Sequence, residues 1–376
     1  MNADISTGKT QSFARCLNNR LVMRLLRENG AASSTMLAER LDLSNAALTA
    51  IIADLKTNGY IKEHGDVSTP IKTGRPPKLW TVNADYGCIV VISLQDYVAR
   101  VVISDMKMKI KDSIETRIER YDIAMLYEIV LAVKNLLGSD KYRDIPLKWL
   151  EFSVPGRVDM LTGELQLSSQ FDKDIFSEKN FIVNLFERQF GVPVVLDNDI
   201  NLAALGEMNC GLLKGIGNGM IVHVDEGIGG ALIIDEKLYA GSRGFAGEFG
   251  LVRTRFGDEV GVLDEFVSMR AITKKLAKGD VFDLYARDED AQKYVLDTAR
   301  CLGRVLKDLV EVLDIPTIVL SGGVTKFGEK YLNVLNEEVG HSINGARVYP
   351  SLLGKDASIH GAIYKAVETL TDDTFK

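Results

Sequence analysis

One glycine-rich stretch, residues 221–250, constrains the fold of this chain more than any other part of it. It opens with a buried strand, because β-branched apolar residues at 221–224 run directly into a glycine-rich turn. A second and a third strand are predicted on either side of the turn Asp235-Glu236. Glu248 is the one acidic residue of the loop 244–250, and its carboxylate suits neighbouring sugar hydroxyls, which donate hydrogen bonds to it. Hairpins that need glycine only for their turns are the alternative interpretation.

The pattern GIGG…LYAGSRGFAGEFG, within residues 227–250, resembles the signature of the ROK family of repressors, open reading frames and sugar kinases. Further family-like segments recur in order over residues 85–370. The resemblance implies an α/β protein with a two-lobed actin-like (ribonuclease H-like) ATPase fold and a sugar cleft between the lobes. In the repressor branch of the family a winged helix-turn-helix precedes the lobes.

The length of 376 residues is sufficient for two or three domains, each with its own core. We predict a winged helix-turn-helix over residues 1–82, a first α/β lobe over 83–196 with a C-terminal helix at 359–376, and a second α/β lobe over 197–358.

Composition favours a cytoplasmic globular protein. The chain is 46% hydrophobic and 26% charged, and no apolar run is long enough to span a membrane. No charged-then-apolar leader precedes the first helix. The four cysteines lack CxxC spacing, which is typical of reduced thiols in the cytoplasm.

Charge is distributed unevenly. Residues 1–80 hold 11 Lys and Arg against 7 Asp and Glu, whereas the remainder holds 34 against 45. A basic N-terminal module followed by an acidic remainder indicates that the module binds nucleic acid and that the remainder has a separate function.

The N-terminal module has the order helix, helix–turn–helix, hairpin. Apolar residues of 16–29 share one helical face, and Gly30 ends that helix. Ser44 begins a third helix, and residues 60–63 can pair with 79–82 around a Gly/Pro/Lys-rich wing. This order predicts a winged helix-turn-helix, with a plain three-helix bundle as the alternative.

The third helix carries small polar residues opposite its apolar face. Such side chains can donate to phosphates or read base edges in a major groove. Because the helix has few basic residues, we expect the wing to supply positive charge. Arg75 precedes two prolines and is therefore held extended, which suits a narrow minor groove, although alone it is equally a solvated loop charge. The predicted DNA contacts are Ser44, Asn45, Thr49, Lys72, Arg75 and Lys78.

The phosphate loops depart from the family pattern. Kinases of the family carry an Asp-x-Gly-type loop in the first turn, but residues 93–97 read SLQDY without glycine. Side chains at each position hinder the backbone N–H groups from cradling a phosphate. The second loop, usually Gly-Thr-Gly-x-Gly, reads DEGIG at 225–229, so two carboxylates would face an anionic triphosphate. We therefore expect no kinase activity and no catalytic residue.

The sugar side keeps more of the pattern. Asn198 and Asp199 follow a strand and begin a helix, a place where α/β proteins bind ligands. The resemblance implies sugar contacts for both, with a simple helix N-cap as the alternative for Asp199. Gln170 and Asp264 stand where the family has a sugar-contacting Asn and Glu. The predicted effector contacts are Gln170, Asn198, Asp199, Glu248 and Asp264.

The zinc motif of the family is missing. Its His after GExG corresponds to Leu251, and its three cysteines have no counterpart in residues 255–264. We therefore expect no zinc and no other cofactor. The same His touches the sugar in the family, so Leu251 makes the pocket more apolar. These changes predict an effector other than glucose or N-acetylglucosamine, such as a pentose or a modified or phosphorylated sugar.

Together these features predict a sugar-responsive transcriptional repressor of carbohydrate metabolism genes. The expected partners are operator DNA, a monosaccharide or sugar derivative as effector, and further copies of the chain in a dimer or tetramer. An active ROK-type sugar kinase and a constitutive DNA-binding protein with a vestigial cleft are the alternatives. The altered phosphate loops argue against the first, and Glu248 with Asn198-Asp199 argues against the second.

We expect Arg75→Ala to weaken operator binding by about tenfold or more, the scale of one good groove contact. The measurement is fluorescence anisotropy with a duplex that the wild-type protein selects from a random library. Unchanged affinity would remove the wing from the DNA interface.

Overall fold

The N-terminal elements form the predicted winged helix-turn-helix in this computed structural model, which describes residues 8–65, 78–168, 170–176, 178–276 and 279–373. Its elements are α1 (Gly8–Asn29), β1 (Ala32–Ser33), α2 (Ser34–Leu41), α3 (Asn45–Thr57), β2 (Ile61–Glu63) and β3 (Leu79–Val82). Ser33 and Ser44 begin α2 and α3, since each hydroxyl accepts a hydrogen bond from a backbone N–H of the first turn. The predicted hairpin pairs β2 with β3, and β1 adds a third strand that the sequence did not predict.

A first five-stranded sheet follows the winged helix. Its region contains β4 (Cys88–Gln95), β5 (Val98–Asp105), β6 (Ile110–Arg117), α4 (Ile123–Leu137), β7 (Leu147–Val154), β8 (Arg157–Asp159), β9 (Glu164–Leu167), α5 (Phe181–Phe190) and β10 (Val194–Asn198). The strand order is β10-β7-β4-β5-β6, with β4, β7 and β10 parallel and β5 antiparallel to both neighbours. Strands β8 and β9 form a separate hairpin.

A second sheet repeats this topology. Its region contains α6 (Asp199–Cys210), β11 (Gly219–Val224), β12 (Ile228–Ile234), β13 (Lys237–Tyr239), β14 (Arg253–Phe256), β15 (Glu259–Val262), α7 (Leu263–Val267), α8 (Met269–Leu276), α9 (Val281–Arg287), α10 (Glu289–Leu313), β16 (Thr317–Ser321), α11 (Glu329–Gly340), β17 (Arg347–Pro350) and α12 (Ala357–Asp373). The order β13-β12-β11-β16-β17 again places an antiparallel meander beside two parallel strands. Two sheets of one topology make the actin-like arrangement. No helix among the described residues combines the length and apolar character needed to cross a membrane.

Helix α12 joins the winged helix to the first sheet. Leu26 of α1 and Val82 of β3 belong to the same buried cluster as Ile363 and Val367 of α12, and Val91 of β4 lies in it too. The winged helix is therefore packed into a core that it shares with the body. Burial of apolar surface on this scale favours a fixed orientation over a loose tether.

Charged contacts add to this packing. The ammonium of Lys365 contacts the carboxylate of Asp197 at the end of β10 and lies 3.7 Å from that of the buried Glu151. Burial raises the pKa of Glu151, and the ammonium partly opposes that shift. One turn further along α12, Glu368 pairs with Arg27 of α1. A single helix thus contacts both the cleft-side strand and the winged helix.

Helices α6 and α12 approach at two glycines. A Cβ on Gly361 would lie 1.8 Å from the carbonyl oxygen of Leu202, and one on Gly206 would lie 2.1 Å from that of Ala357. Real Cβ atoms cannot approach backbone oxygens so closely, so both positions require glycine.

We expect Gly361→Ala to lower the free energy of unfolding by at least about 2 kcal/mol, because the helices must separate to admit the methyl group. Urea denaturation measures the change. Gly340→Ala is the matched control, since Gly340 ends α11 with no atom within 4 Å of its added Cβ. Equal stability of both variants would show that the crossing is not close-packed.

Candidate functional site

The exposed face of α3 contains the predicted base-reading residues. Ser44, Asn45 and Thr49 are all exposed, whereas Leu48 and Leu55 on the opposite side are buried. The Thr49 hydroxyl donates to the carbonyl of Asn45 at 2.7 Å, which leaves its lone pairs available to an external donor. The exposed face of α3 is therefore small and polar, and an α-helix of this kind fits into a major groove.

Of the three basic residues predicted in the wing, the structure describes Lys78. Lys72 and Arg75 lie outside the described residues. The ammonium of Lys78 lies 2.7 Å from the Glu63 carboxylate and lowers the pKa of that exposed group, and Lys56 lies 3.6 Å from the same carboxylate. Two lysines sharing one carboxylate leave net positive charge beside α3.

All five predicted effector contacts line one cavity of about 600 Å³, here called the large cavity. It lies where β4, β7 and β10 of the first sheet and β11 of the second reach their carboxyl ends, the usual place for ligands in α/β proteins. The residues brought together are Gln170, Asn198, Asp199, Glu248 and Asp264.

Asn198 is the N-cap of α6. Its Oδ1 accepts from the N–H groups of Ile200 and Asn201 at 3.0 and 2.9 Å, and its Nδ2 donates to the Gly156 carbonyl at 2.9 Å. The capping role expected as an alternative for Asp199 thus belongs chiefly to its neighbour. Its Nδ2 also donates to Asp199 Oδ1 at 3.3 Å, so the side chain of Asn198 is fixed beside that carboxylate.

The surroundings of Asp199 raise the pKa of its carboxyl group. Burial raises its pKa to about 7, hydrogen bonding to the Ile200 N–H opposes the shift, and the charge of Asp96 adds to it. The group therefore changes protonation near neutral pH and can either donate to or accept from a sugar hydroxyl.

Glu248 is held by an arginine that sequence reasoning did not assign to the site. Arg157 Nε and Nη2 donate to the two carboxylate oxygens at 2.7 and 3.0 Å. The bidentate pair joins the β8–β9 hairpin to the glycine-rich loop. Nearby, Arg243 makes a similar link to the buried Asp159. The one available signal was the position of Arg157 directly after the turn Pro155-Gly156.

The glycines around Glu248 serve backbone packing. A Cβ on Gly247, whose φ is +93°, would lie 2.0 Å from the carbonyl oxygen of Gly230 in β12. The loop therefore lies flat on the strand. Close approach of backbone to backbone, rather than of backbone to ligand, accounts for this part of the signature.

Asp264 and Gln170 complete the large cavity in different ways. Asp264 accepts from the Ile228 N–H at 2.9 Å through Oδ1 and pairs with Arg270 through Oδ2. The Oε1 of Gln170 is buried without a hydrogen-bond partner among the described residues. A buried acceptor in a polar cavity needs a donor, so it is a point where a ligand hydroxyl could bind.

A second, small cavity of about 170 Å³ lies on the side that corresponds to the phosphate loops. Its polar groups are bonded to each other: Asp225 accepts from the Gly323 N–H at 2.9 Å, and Lys355 lies 2.9 Å from Asp96. Burial lowers the pKa of His223, although Asp225 opposes the shift, so its imidazole is neutral at pH 7. The amide and ammonium that could have held a phosphate each have an internal partner.

The hairpin β14–β15 occupies the place of the family's zinc motif. Phe256 stacks on Phe266 with ring centroids 5.7 Å apart and meets Tyr294 edge-on at 5.6 Å. Aromatic packing thus anchors the hairpin. Within the described part of the chain, no group of three or more His, Cys, Asp or Glu is placed to hold a metal ion.

Sequence comparison finds two matching families. The model described as "ROK family" matches residues 153–368, and that described as "Winged helix-turn-helix DNA-binding" matches residues 18–62.

Individual relatives include both regulators and enzymes. A xylose repressor of Caldicellulosiruptor bescii is 26% identical over 89% of this chain and 90% of its own length. A β-glucoside kinase of Klebsiella pneumoniae is 29% identical over 61% of this chain and 84% of its own length. A solved ROK family transcriptional regulator, a homologue of the E. coli MLC protein, shares the fold with a TM-score of 0.79 at 17% identity, covering 96% of this chain and 98% of that one.

We expect Asp199→Asn to change the pH dependence of stability. Because burial raises the pKa of Asp199 from 3.8 to about 7, its penalty on folding is absent below about pH 4, grows as the pH rises and is complete above 7. The stabilisation by the variant should therefore be greater at pH 8 than at pH 5, by at least about 1 kcal/mol. Urea denaturation at both values measures this, with the exposed Asp258→Asn as control. A pH-independent difference would contradict the assignment.

Proposed function

This chain belongs to the ROK family, and we propose that it is a DNA-binding transcriptional repressor controlled by a sugar in the large cavity. The observation that carries the proposal is the core shared by the winged helix and α12. Helix α12 also contacts Asp197, at the end of the strand that delivers Asn198 and Asp199. The relative named a xylose repressor and the matching winged helix-turn-helix family support the same function.

Operator DNA would contact the exposed face of α3 together with the wing. The proposed contacts remain Ser44, Asn45, Thr49, Lys72, Arg75 and Lys78. A symmetric dimer, or a tetramer built from dimers, would place two recognition helices on half-sites about 34–36 Å apart, one turn of the double helix. Such a repressor of carbohydrate genes acts in the cytoplasm, where its DNA is.

The effector would act through α12. Sugar hydroxyl groups would bond to Asn198 and Asp199 at the end of β10. The preceding residue of that strand, Asp197, contacts Lys365 of α12. Three residues further along α12, Glu368 holds Arg27 of the winged helix. A shift at the cavity therefore alters the angle of the DNA-binding helices, and only to the extent that the sugar binds one arrangement more tightly than the other.

We also propose that the chain transfers no phosphate and uses no zinc. Two observations support the absence of kinase activity. Asp225 accepts the hydrogen bond of the Gly323 N–H, which is then not available to a phosphate. The carboxylates of Asp225 and Asp96 both line the small cavity, where they would repel a triphosphate. The aromatic anchoring of Phe256 supports a hairpin that is stable without metal.

The test is a thermal-shift screen of the full chain with pentoses, hexoses, amino sugars and sugar phosphates, and with ATP and magnesium in separate wells. We expect one sugar class to raise the melting temperature and ATP to have no effect. Glu248→Gln should abolish the sugar shift, because it breaks the bidentate pair with Arg157. Glu236→Gln, in an exposed turn, is the matched control. Stabilisation by ATP would favour a sugar kinase instead.

A further inference from the structure

Three large apolar side chains gather at the large cavity although each is substantially exposed. Tyr97 is 49% exposed, and Leu167 and Leu251 are each 56% exposed. They come from three separate segments: the β4–β5 turn, the end of β9 and the turn after Glu248. We call these three residues the apolar rim. Apolar side chains that converge on one cavity from distant parts of a chain mark a surface that an apolar group can cover.

The conformation of Tyr97 supports this interpretation. Both Asp96 and Tyr97 have positive φ, at 52° and 57°, in a two-residue turn. A two-residue hairpin turn of this type requires positive φ at both positions, so the turn fixes where the Tyr97 side chain leaves the backbone. The Tyr121 hydroxyl accepts from the Tyr97 N–H at 3.2 Å, and the two rings lie 5.4 Å apart. One face of the Tyr97 ring is thus packed, while the side chain remains half exposed at the cavity.

The size of the large cavity also indicates a ligand larger than one sugar ring. Its volume of about 600 Å³ lies within the range of pockets that hold drug-sized ligands, and a single sugar ring is smaller than such ligands. A sugar ring bonded to the polar side chains would not cover the apolar rim. A ligand that fills the cavity therefore has a polar ring and an additional group.

Charge excludes an anionic additional group. Among the described residues of the cavity, the cations are Arg157 and Arg270, and each is bonded to a carboxylate. Asp225 and Glu226 also line the cavity. A phosphoryl or carboxylate group would meet this negative field without a free cation. This argues against the phosphorylated sugar considered from the sequence.

We propose that the apolar rim is a subsite for an apolar aglycone, so that the effector is a glycoside: a sugar ring joined through its glycosidic oxygen to an aryl or alkyl group. The proposal rests on the proposed function, since it names the ligand class of the same cavity. The sugar ring bonds to Asn198, Asp199 and Glu248, and the aglycone covers Tyr97, Leu167 and Leu251. Neither the sugar ring nor the aglycone alone fills the cavity.

Isothermal titration of the full chain tests this with methyl and phenyl β-D-glucosides and β-D-xylosides, together with the corresponding free sugars and sugar phosphates. In the series that binds, we expect the phenyl glycoside to bind at least about tenfold more tightly than the methyl glycoside, because only the phenyl ring covers the apolar rim. The sugar phosphate should be the weakest ligand.

The double variant L167A/L251A should reduce the phenyl-to-methyl ratio to below about threefold. Both side chains are exposed, so retained operator binding will verify that the variant is folded. Leu161→Ala is the matched control, since Leu161 lies on the same hairpin, is 78% exposed and does not line the cavity. It should keep the wild-type ratio.

The possible failures are distinguishable. Equal affinity for the phenyl and methyl glycosides, or an unchanged ratio in the double variant, would overturn the aglycone subsite and leave the sugar-controlled repressor intact. Tighter binding of the sugar phosphate would overturn the subsite in the same way. Failure of every sugar and glycoside to bind would overturn both proposals.

Discussion

The burial of α12 between α1, α6 and the first sheet is the contact on which the rest of the molecule depends. The glycine crossing with α6 brings the backbones close enough for the apolar side of α12 to reach the winged helix. Lys365 and Glu368 then fix its rotation about its own axis through one contact on each side. A helix constrained in this way is a rigid connection between the cavity strand and the winged helix, which the proposed effector response requires.

Electrostatic pairing shapes the large cavity. Two of the three carboxylates expected to contact a sugar, Glu248 and Asp264, are each bonded to an arginine. Pairing orients each carboxylate and reduces its repulsion towards its neighbours, while leaving oxygen lone pairs for hydroxyl donors. Asp199 has no arginine partner among the described residues, so burial raises its pKa to about 7. The cavity therefore combines preoriented acceptors with one group whose charge changes near pH 7.

The fold was largely predictable because its signals are local: apolar periodicity, helix caps and turn residues lie within a few positions of each other. Ser44 as a cap and Asp235-Glu236 as a turn were read this way. Contacts between distant residues were not predictable. The family resemblance predicts all five cavity residues, but Arg157, the partner of Glu248, lies 91 positions away and no local pattern links the two. The separate packing role of Gly247 likewise depends on a strand that only the fold brings near.

The position of α12 along the chain also affects the order of folding. Arg27 and its partner Glu368 are 341 positions apart, and the apolar core around them is equally non-local. Because the winged helix precedes α12 by more than 270 positions, its inner surface stays uncovered during synthesis until α12 has been made. Nascent chains, and chains truncated before α12, would therefore expose an apolar surface of the winged helix to which chaperones bind. The winged helix would reach its final orientation only late in folding.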